Sequence, residues 1–323
     1  MMRKLLKKLV SPCKRYLMHD VELQTDRLLM IAGKNAASQL RQIHEVNSLS
    51  DAGFSVYSQF DEDGIVEWLL QRVPIASTRF VEFGVSNYKE SNTRFLLKNR
   101  NWRGLVLDCG SENIGIIHND EISWKHELLA YHAFVTPENI NDILKKSDFT
   151  GEIGLLSVDA GGMDYWIWKA IEVIAPCIVI CEYNAIFGDL HPVSIPYAHD
   201  FDRAKAHYSD LYWGAGIVAF ENVARLKGYT LIGSNAGGHN AFFIRDDLFE
   251  HLNLAIADKS AKPSLFRESR SLTGNFTYVS GIKRFDMIKH LTVVRVDTGE
   301  KVALETLSPV YSKAWMNILG DVA

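Results

Sequence analysis

Acidic and amide side chains stand at the ends of several apolar runs. Glu82 lies in Val81-Glu82-Phe83-Gly84, Asp108 closes Leu105-Val106-Leu107, Asp159 follows Leu155-Leu156-Ser157-Val158, and Glu182 and Asn184 flank Tyr183. A carboxylate inside an apolar run is costly unless it meets a partner, so each of these positions calls for a ligand or a structural donor. Asp108 is placed to accept hydrogen bonds from two ribose hydroxyls. Asp159 and Glu182 are hard oxygen donors that suit Mg²⁺ or Mn²⁺; Asp159 is equally suited to orienting a cofactor's amino group or capping the next helix. The loop after the first run carries one glycine, Gly84, in place of G-x-G-x-x-G. A dinucleotide needs those glycines because its pyrophosphate touches the loop, whereas a nucleoside without phosphates does not. S-adenosylmethionine is therefore favoured over NAD.

A hydroxyl acceptor for such a cofactor needs its proton removed, by a base or by a metal that lowers its pKa. His239 follows Gly237-Gly238, glycines that let the chain turn tightly, and an ordinary imidazole titrates near neutral pH. We expect it to be the catalytic base, with Asp159 as a second catalytic group and His199 and His207 as further candidates facing the substrate. Between Tyr183 and Trp213 the chain is dense in aromatic residues, with Arg203 among them. Tyr183, Asn184, His199, Arg203 and His207 read either as a platform for sugar rings or as part of a buried aromatic cluster.

These residues need a scaffold that brings strand ends together. Short apolar runs alternate with helical stretches, the βαβ signature of a parallel sheet. Strands are expected at Arg79–Phe83, Gly104–Asp108, His132–Thr136, Ile153–Asp159, Cys177–Tyr183, Tyr229–Gly233 and Asn240–Arg245. Helices are expected from Thr136-Pro137, from Met163 to Ile174 before Pro176, and from Leu211 to Lys227. Only Ser234 to His239 separates the last two strands, and a parallel crossover needs about a dozen residues, so they must form an antiparallel hairpin. The fold class is α/β.

The chain has 323 residues, a formal charge of −4, and no apolar run of the ~18 residues that a membrane span needs. That balance disfavours nucleic acid as a partner. Cys13, Cys109, Cys177 and Cys181 show no metal-ligand spacing, and a cytoplasmic location is expected. Residues 1–20 carry six bases against one acid with leucines at helical spacing, and read as an amphipathic helix on the inner membrane face or as a solvated tail. We divide the chain into a helical basic extension (1–53), a central domain (54–250) and a C-terminal cap or oligomerisation element (251–323).

The stretches Ser58-Gln59-Phe60-Asp61-Glu62-Asp63-Gly64, Phe80-Val81-Glu82-Phe83-Gly84, Ser91-Asn92-Thr93, Asn101-Trp102-Arg103-Gly104 and Leu155–Asp159 resemble, in this order, FkbM-type S-adenosylmethionine-dependent methyltransferases and their relatives in bacterial surface-polysaccharide clusters. The resemblance covers about residues 55 to 250. It departs from the family pattern at Ser86-Asn87-Tyr88 and at Asp159-Ala160-Gly161-Gly162. It implies a Rossmann-like, seven-stranded methyltransferase sheet ending in the antiparallel hairpin. It also implies that Glu82, Gly84, Ser91, Asn92 and Thr93 hold the methionine and ribose part, that Asp108 binds the ribose, and that Phe134 and Val135 lie near the adenine. The expected activity is O-methylation of a sugar, nucleotide-sugar or glycan intermediate. The alternatives are an NAD-dependent oxidoreductase and a non-catalytic subunit of a glycan assembly complex.

Overall fold

A computed structural model describes residues 2–320, with side chains from Asp20 onward; the six basic side chains of the expected N-terminal amphipathic helix lie outside the described residues. The strands are β1 (Arg79–Phe83), β2 (Arg103–Asp108), β3 (Leu128–His132), β4 (Gly151–Val158), β5 (Ile174–Glu182), β6 (Val193–Ser194), β7 (Tyr229–Ser234), β8 (Asn240–Arg245), β9 (Thr292–Arg295) and β10 (Lys301–Ala303). Seven of them form one sheet in the order β3-β2-β1-β4-β5-β8-β7. The first five run parallel, and β8 inserts antiparallel between β5 and β7. This is the expected Rossmann-like seven-stranded sheet with its terminal hairpin. A second, antiparallel sheet joins β6, β9 and β10.

Period-two alternation splits the core. Val81, Phe83, Leu105, Leu107, Val179 and Phe243 face one layer; Phe80, Val106, Leu155, Ile178, Ile180 and Phe242 face the other. Both faces are apolar because helices cover both. The first layer continues into Phe285, Ile288, Val293, Tyr311 and Trp315 near the C-terminus, and the second into Leu40, Leu49, Trp68 and Leu69 near the N-terminus. The terminal segments thus share the cores of the sheet, and they do so at its two faces.

Four elements differ from expectation. β3 lies at Leu128–His132, four residues early, because as an edge strand it is half-exposed and carries little hydrophobic signal. The helix after it begins at Ile140 with Asn139 at its N-cap, so Thr136 only closes the preceding turn, its carbonyl accepting from the Asn139 and Ile140 amides. The helix expected to run to Ile174 ends at Ala170, and Pro176 sits inside β5, where pairing with β8 starts only at Ile178. The helix expected from Leu211 begins at Ile217, since the preceding residues instead donate and accept bonds with Asn184 and Val193.

Candidate functional site

The parallel sheet reverses its winding between β1 and β4, and a crevice opens there at the carboxyl ends of the strands. Gly84 leaves β1 with φ +71°, and a Cβ built on it would stand 1.7 Å from the carbonyl oxygen of Asp159. Only glycine lets the loop after β1 lie on the loop after β4. Glu82, buried in β1, accepts hydrogen bonds from Ser91 Oγ at 2.5 Å, Thr93 Oγ1 at 2.5 Å and the Asn92 amide at 2.9 Å. Burial, aided by the charge of Asp159, pushes its pKa up to about 7 against those bonds. Asp108 accepts from the amides of Ser86 and Gly110, both at 2.7 Å, and from Asn113 Nδ2 at 2.9 Å. The two acids expected to meet a cofactor thus spend much of their acceptor capacity holding the 84–93 loop, in which Ser86 and Tyr88 adopt left-handed φ values of 46° and 61°.

Asp159 and Glu182 come together from the ends of β4 and β5. Asp159 is exposed at the crevice. Its pKa is raised by burial and held down in part by a hydrogen bond with Glu182. The carboxyl of Glu182 is pushed well above its usual range by burial and by the charges of Asp159 and Asp164. Both carboxyls are thus shifted toward the protonated form, Glu182 more strongly than Asp159. Asp164 closes the turn that presents Asp159, accepting from the amides of Ala160 at 2.5 Å and Gly162 at 3.0 Å, and burial raises it to about 7. Among the described residues no group of three or more His, Cys, Asp or Glu side chains is placed to hold a metal ion. At the expected metal position, Asp159 and Glu182 therefore stand as two adjacent carboxyls without a third such ligand.

His239 does face the crevice, but not as the near-neutral base expected of it. Its ring lies between Phe60 and Phe266, with centroids 5.0 and 4.8 Å away, and Nε2 is 3.6 Å from Glu62 Oε1. Burial lowers its pKa to about 4, so the imidazole is neutral throughout the physiological range and a weak base. Gly238 permits the turn, with φ +68° and the Pro263 carbonyl 2.4 Å from where a Cβ would lie. The Asp61-Glu62-Asp63 run anchors this region. Asp61 accepts from the Ala236 amide, Glu62 Oε1 from the amides of Asn235 and Asn240 side chains, and Asp63 Oδ2 from the amides of Val56, Tyr57 and Ser58.

The crevice holds two adjoining chambers. The first, about 210 Å³, is lined by Glu82, Gly84, Ser86, Ser91, Asn92 and Glu90. The second, about 170 Å³, is lined by Tyr183, Asn184, Arg203, Trp213, Phe266 and Arg284. Gln59, Asp159, Glu182 and His239 line both. Of the remaining expected residues, Thr93 is buried behind the loop and Asn184 ties down the carbonyls of Leu211 and Trp213. Phe134, Val135, His199 and His207 line neither chamber. His199 is exposed beside Phe134 and Glu138, and His207 pairs with Ser209 near His290. The sequence reading gave no role to Gln59, Phe266 or Arg284. Gln59 and Phe60 lie in the stretch Ser58–Gly64 that carries the family resemblance, with three consecutive acids at Asp61-Glu62-Asp63, while no local signal marks Phe266 or Arg284. A larger cavity of about 1060 Å³ lies elsewhere, along Asp26, Tyr57, Lys98 and Trp124, and its central cation Lys98 is paired with Asp26 at 2.6 Å.

No family model matches this chain, and no curated protein matches it. Among solved structures it is similar to the N-terminal domain of EvdMO1 with SAH bound (12% identity, TM-score 0.38, 65% of this chain and 94% of that one). It is also similar to the methyltransferase domain of bacterial CtHen1-C (14%, 0.36, 57% and 96%) and to an O-methyltransferase from Bacillus cereus in complex with SAH (11%, 0.35, 52% and 73%). These likenesses are distant and add no weight to the topology described above.

Proposed function

We propose that the chain is an S-adenosylmethionine-dependent methyltransferase that acts on a hydroxyl of a polar, sugar-like acceptor. The observation that carries this reading is the convergence of Glu90, Asp159 and Glu182 on the switch-point crevice beside Gly84. A sulfonium and an ammonium group are cations and suit such a lining, whereas the pyrophosphate of NAD would be repelled by it. Glu82 and Asp108 support the site by fixing the 84–93 loop, with Gly84, Ser86 and Asn92 left on the chamber wall.

When bound, the cofactor supplies a methyl group activated by positive sulfur. The chain's part is to hold the acceptor in line and to take its proton. Asp159 and Glu182 line both chambers, and Asp159, the less strongly shifted of the two, is the carboxylate that accepts the hydroxyl proton. His239, neutral, forms part of the wall. Trp213, Tyr183 and Phe266 give the second chamber aromatic surface for a ring.

The test is calorimetry with S-adenosylhomocysteine and NADH, followed by Asp159→Asn. Binding of the first ligand alone, and a methyl transfer rate that falls at least ~100-fold in the variant with that binding retained, is the expected result. Binding of neither ligand would favour a non-catalytic protein of the same fold, and binding of NADH alone the oxidoreductase reading.

A further inference from the structure

The second chamber contains donors that proton transfer does not use. Arg284, on the short helix Lys283–Ile288, is 6% exposed. Its Nη1 reaches Ser264 Oγ at 3.4 Å, the outer limit of a hydrogen bond, and its Nε has no partner among the described residues. Glu268, the carboxylate on the same wall, is bonded to Arg203 Nη2 at 3.0 Å. Trp213 Nε1 is likewise buried without a partner among the described residues, and the Arg203 guanidinium lies 4.8 Å from the Trp213 ring centroid. Burial lowers Arg284 to about 10, so it remains charged at neutral pH.

Among the described residues Arg284 forms no ion pair, and Glu268, whose charge favours that guanidinium's protonated form, is itself bonded to Arg203; a buried cation so weakly compensated is unfavourable, and an unsatisfied indole N–H adds to the cost. Chains keep such groups where a ligand completes them, at the expense of their own stability. A guanidinium fork matches the paired oxygens of a carboxylate or a phosphate. Arg203 is a charged neighbour both of the Asp159–Glu182 pair and of Arg284, so the acid pair and the Arg284 guanidinium belong to one connected chamber.

We propose that Arg284, with Arg203 and Trp213 Nε1, forms an oxyanion subsite in the second chamber, so that the acceptor carries a carboxylate or phosphate group beside its reacting hydroxyl. The word acceptor rests on the methyltransferase reading; the subsite does not. The segment 264–284 thereby becomes part of the binding site.

Thermal unfolding of the full chain in chloride, acetate and inorganic phosphate, at equal ionic strength and pH 7, tests it. One of the two oxyanions is expected to raise Tm saturably above chloride, acetate pointing to a carboxylate and phosphate to a phosphate ester. Arg284→Met should weaken that response at least tenfold while unfolding no more easily than wild type in chloride. Arg284→Lys, which keeps the charge but not the fork, should weaken it several-fold. No saturable response in wild type, an equal response in Arg284→Met, or a Met variant destabilised in chloride would each overturn the subsite. S-adenosylhomocysteine calorimetry on the same proteins separates the two readings. Its failure in wild type removes the methyltransferase and leaves the oxyanion response to stand or fall alone.

Discussion

Replacing Glu82 by glutamine changes one atom in the most densely bonded acid of the site, and the structure sets the size and sign of the effect. Its carboxyl is raised from the ordinary 4.5 to about 7, chiefly by burial. At ~1.4 kcal/mol per pH unit that difference amounts to about 3 kcal/mol. The folded chain binds this proton more tightly than the unfolded chain does. The contribution is therefore fully present below pH 4.5, falls as pH rises toward 7, and is gone above it. Glutamine does not titrate. Its Oε1 can keep the fixed N–H of Asn92, and its amide can donate to the hydroxyls of Ser91 and Thr93, which rotate to accept. Urea unfolding of both proteins from pH 4.5 to 8 is the assay. Asp63, Asp164 and His239 titrate in both chains and cancel in the difference. Wild-type stability minus Glu82→Gln stability should decline by about 3 kcal/mol across that window. Parallel pH curves would show that Glu82 is not a buried, proton-retaining strap, and the account of the 84–93 loop would go with it.

Gly84→Ala should cost ~2–4 kcal/mol of stability and weaken S-adenosylhomocysteine binding more than tenfold, because its Cβ meets the Asp159 carbonyl oxygen at a left-handed φ; wild-type values in unfolding and calorimetry would contradict the packing of the two loops. His239→Gln should leave the shape of the pH–rate profile between pH 6 and 9 unchanged, since the imidazole is already neutral there. Its depressed pKa gives the opposite stability sign to Glu82: stability present above the ordinary 6.5 is lost as pH falls toward 4, and the glutamine variant should resist acid better. A profile that loses a limb near pH 6 to 7 in the variant would restore histidine as the base. Methyl transfer in excess EDTA should match transfer without it, because Asp159 and Glu182 have no third His, Cys, Asp or Glu side chain among the described residues placed to hold a metal ion with them; activity lost to EDTA and restored by Mg²⁺ would place a metal there instead.

The sheet was legible in the sequence because its information is local. Apolar runs such as Leu105-Val106-Leu107 are buried on both faces, and a link of six residues between the last two strands excludes a crossover whatever the rest of the chain does. The acids were legible for the same reason, since Glu82, Asp108, Asp159 and Glu182 each interrupt or close such a run. Local pattern weakened at the edge strand β3, where Tyr131 and His132 are exposed and the register slipped by four residues. What each acid does lay beyond local pattern. Glu82 and Asp108 proved to be held by a loop of their own chain, and Asp159 met Glu182 only because β4 and β5 are neighbours. Glu62 finds Asn235 across 173 residues, and Arg284 reaches a chamber built from β5 and the segments after it. A side chain's charge is a property of its type, but its pKa depends on burial and on which charges the closed fold brings close. The near-neutral histidine inferred from residue type therefore became a buried one near 4, while burial raises a pair of carboxyls from two different strands above their ordinary range.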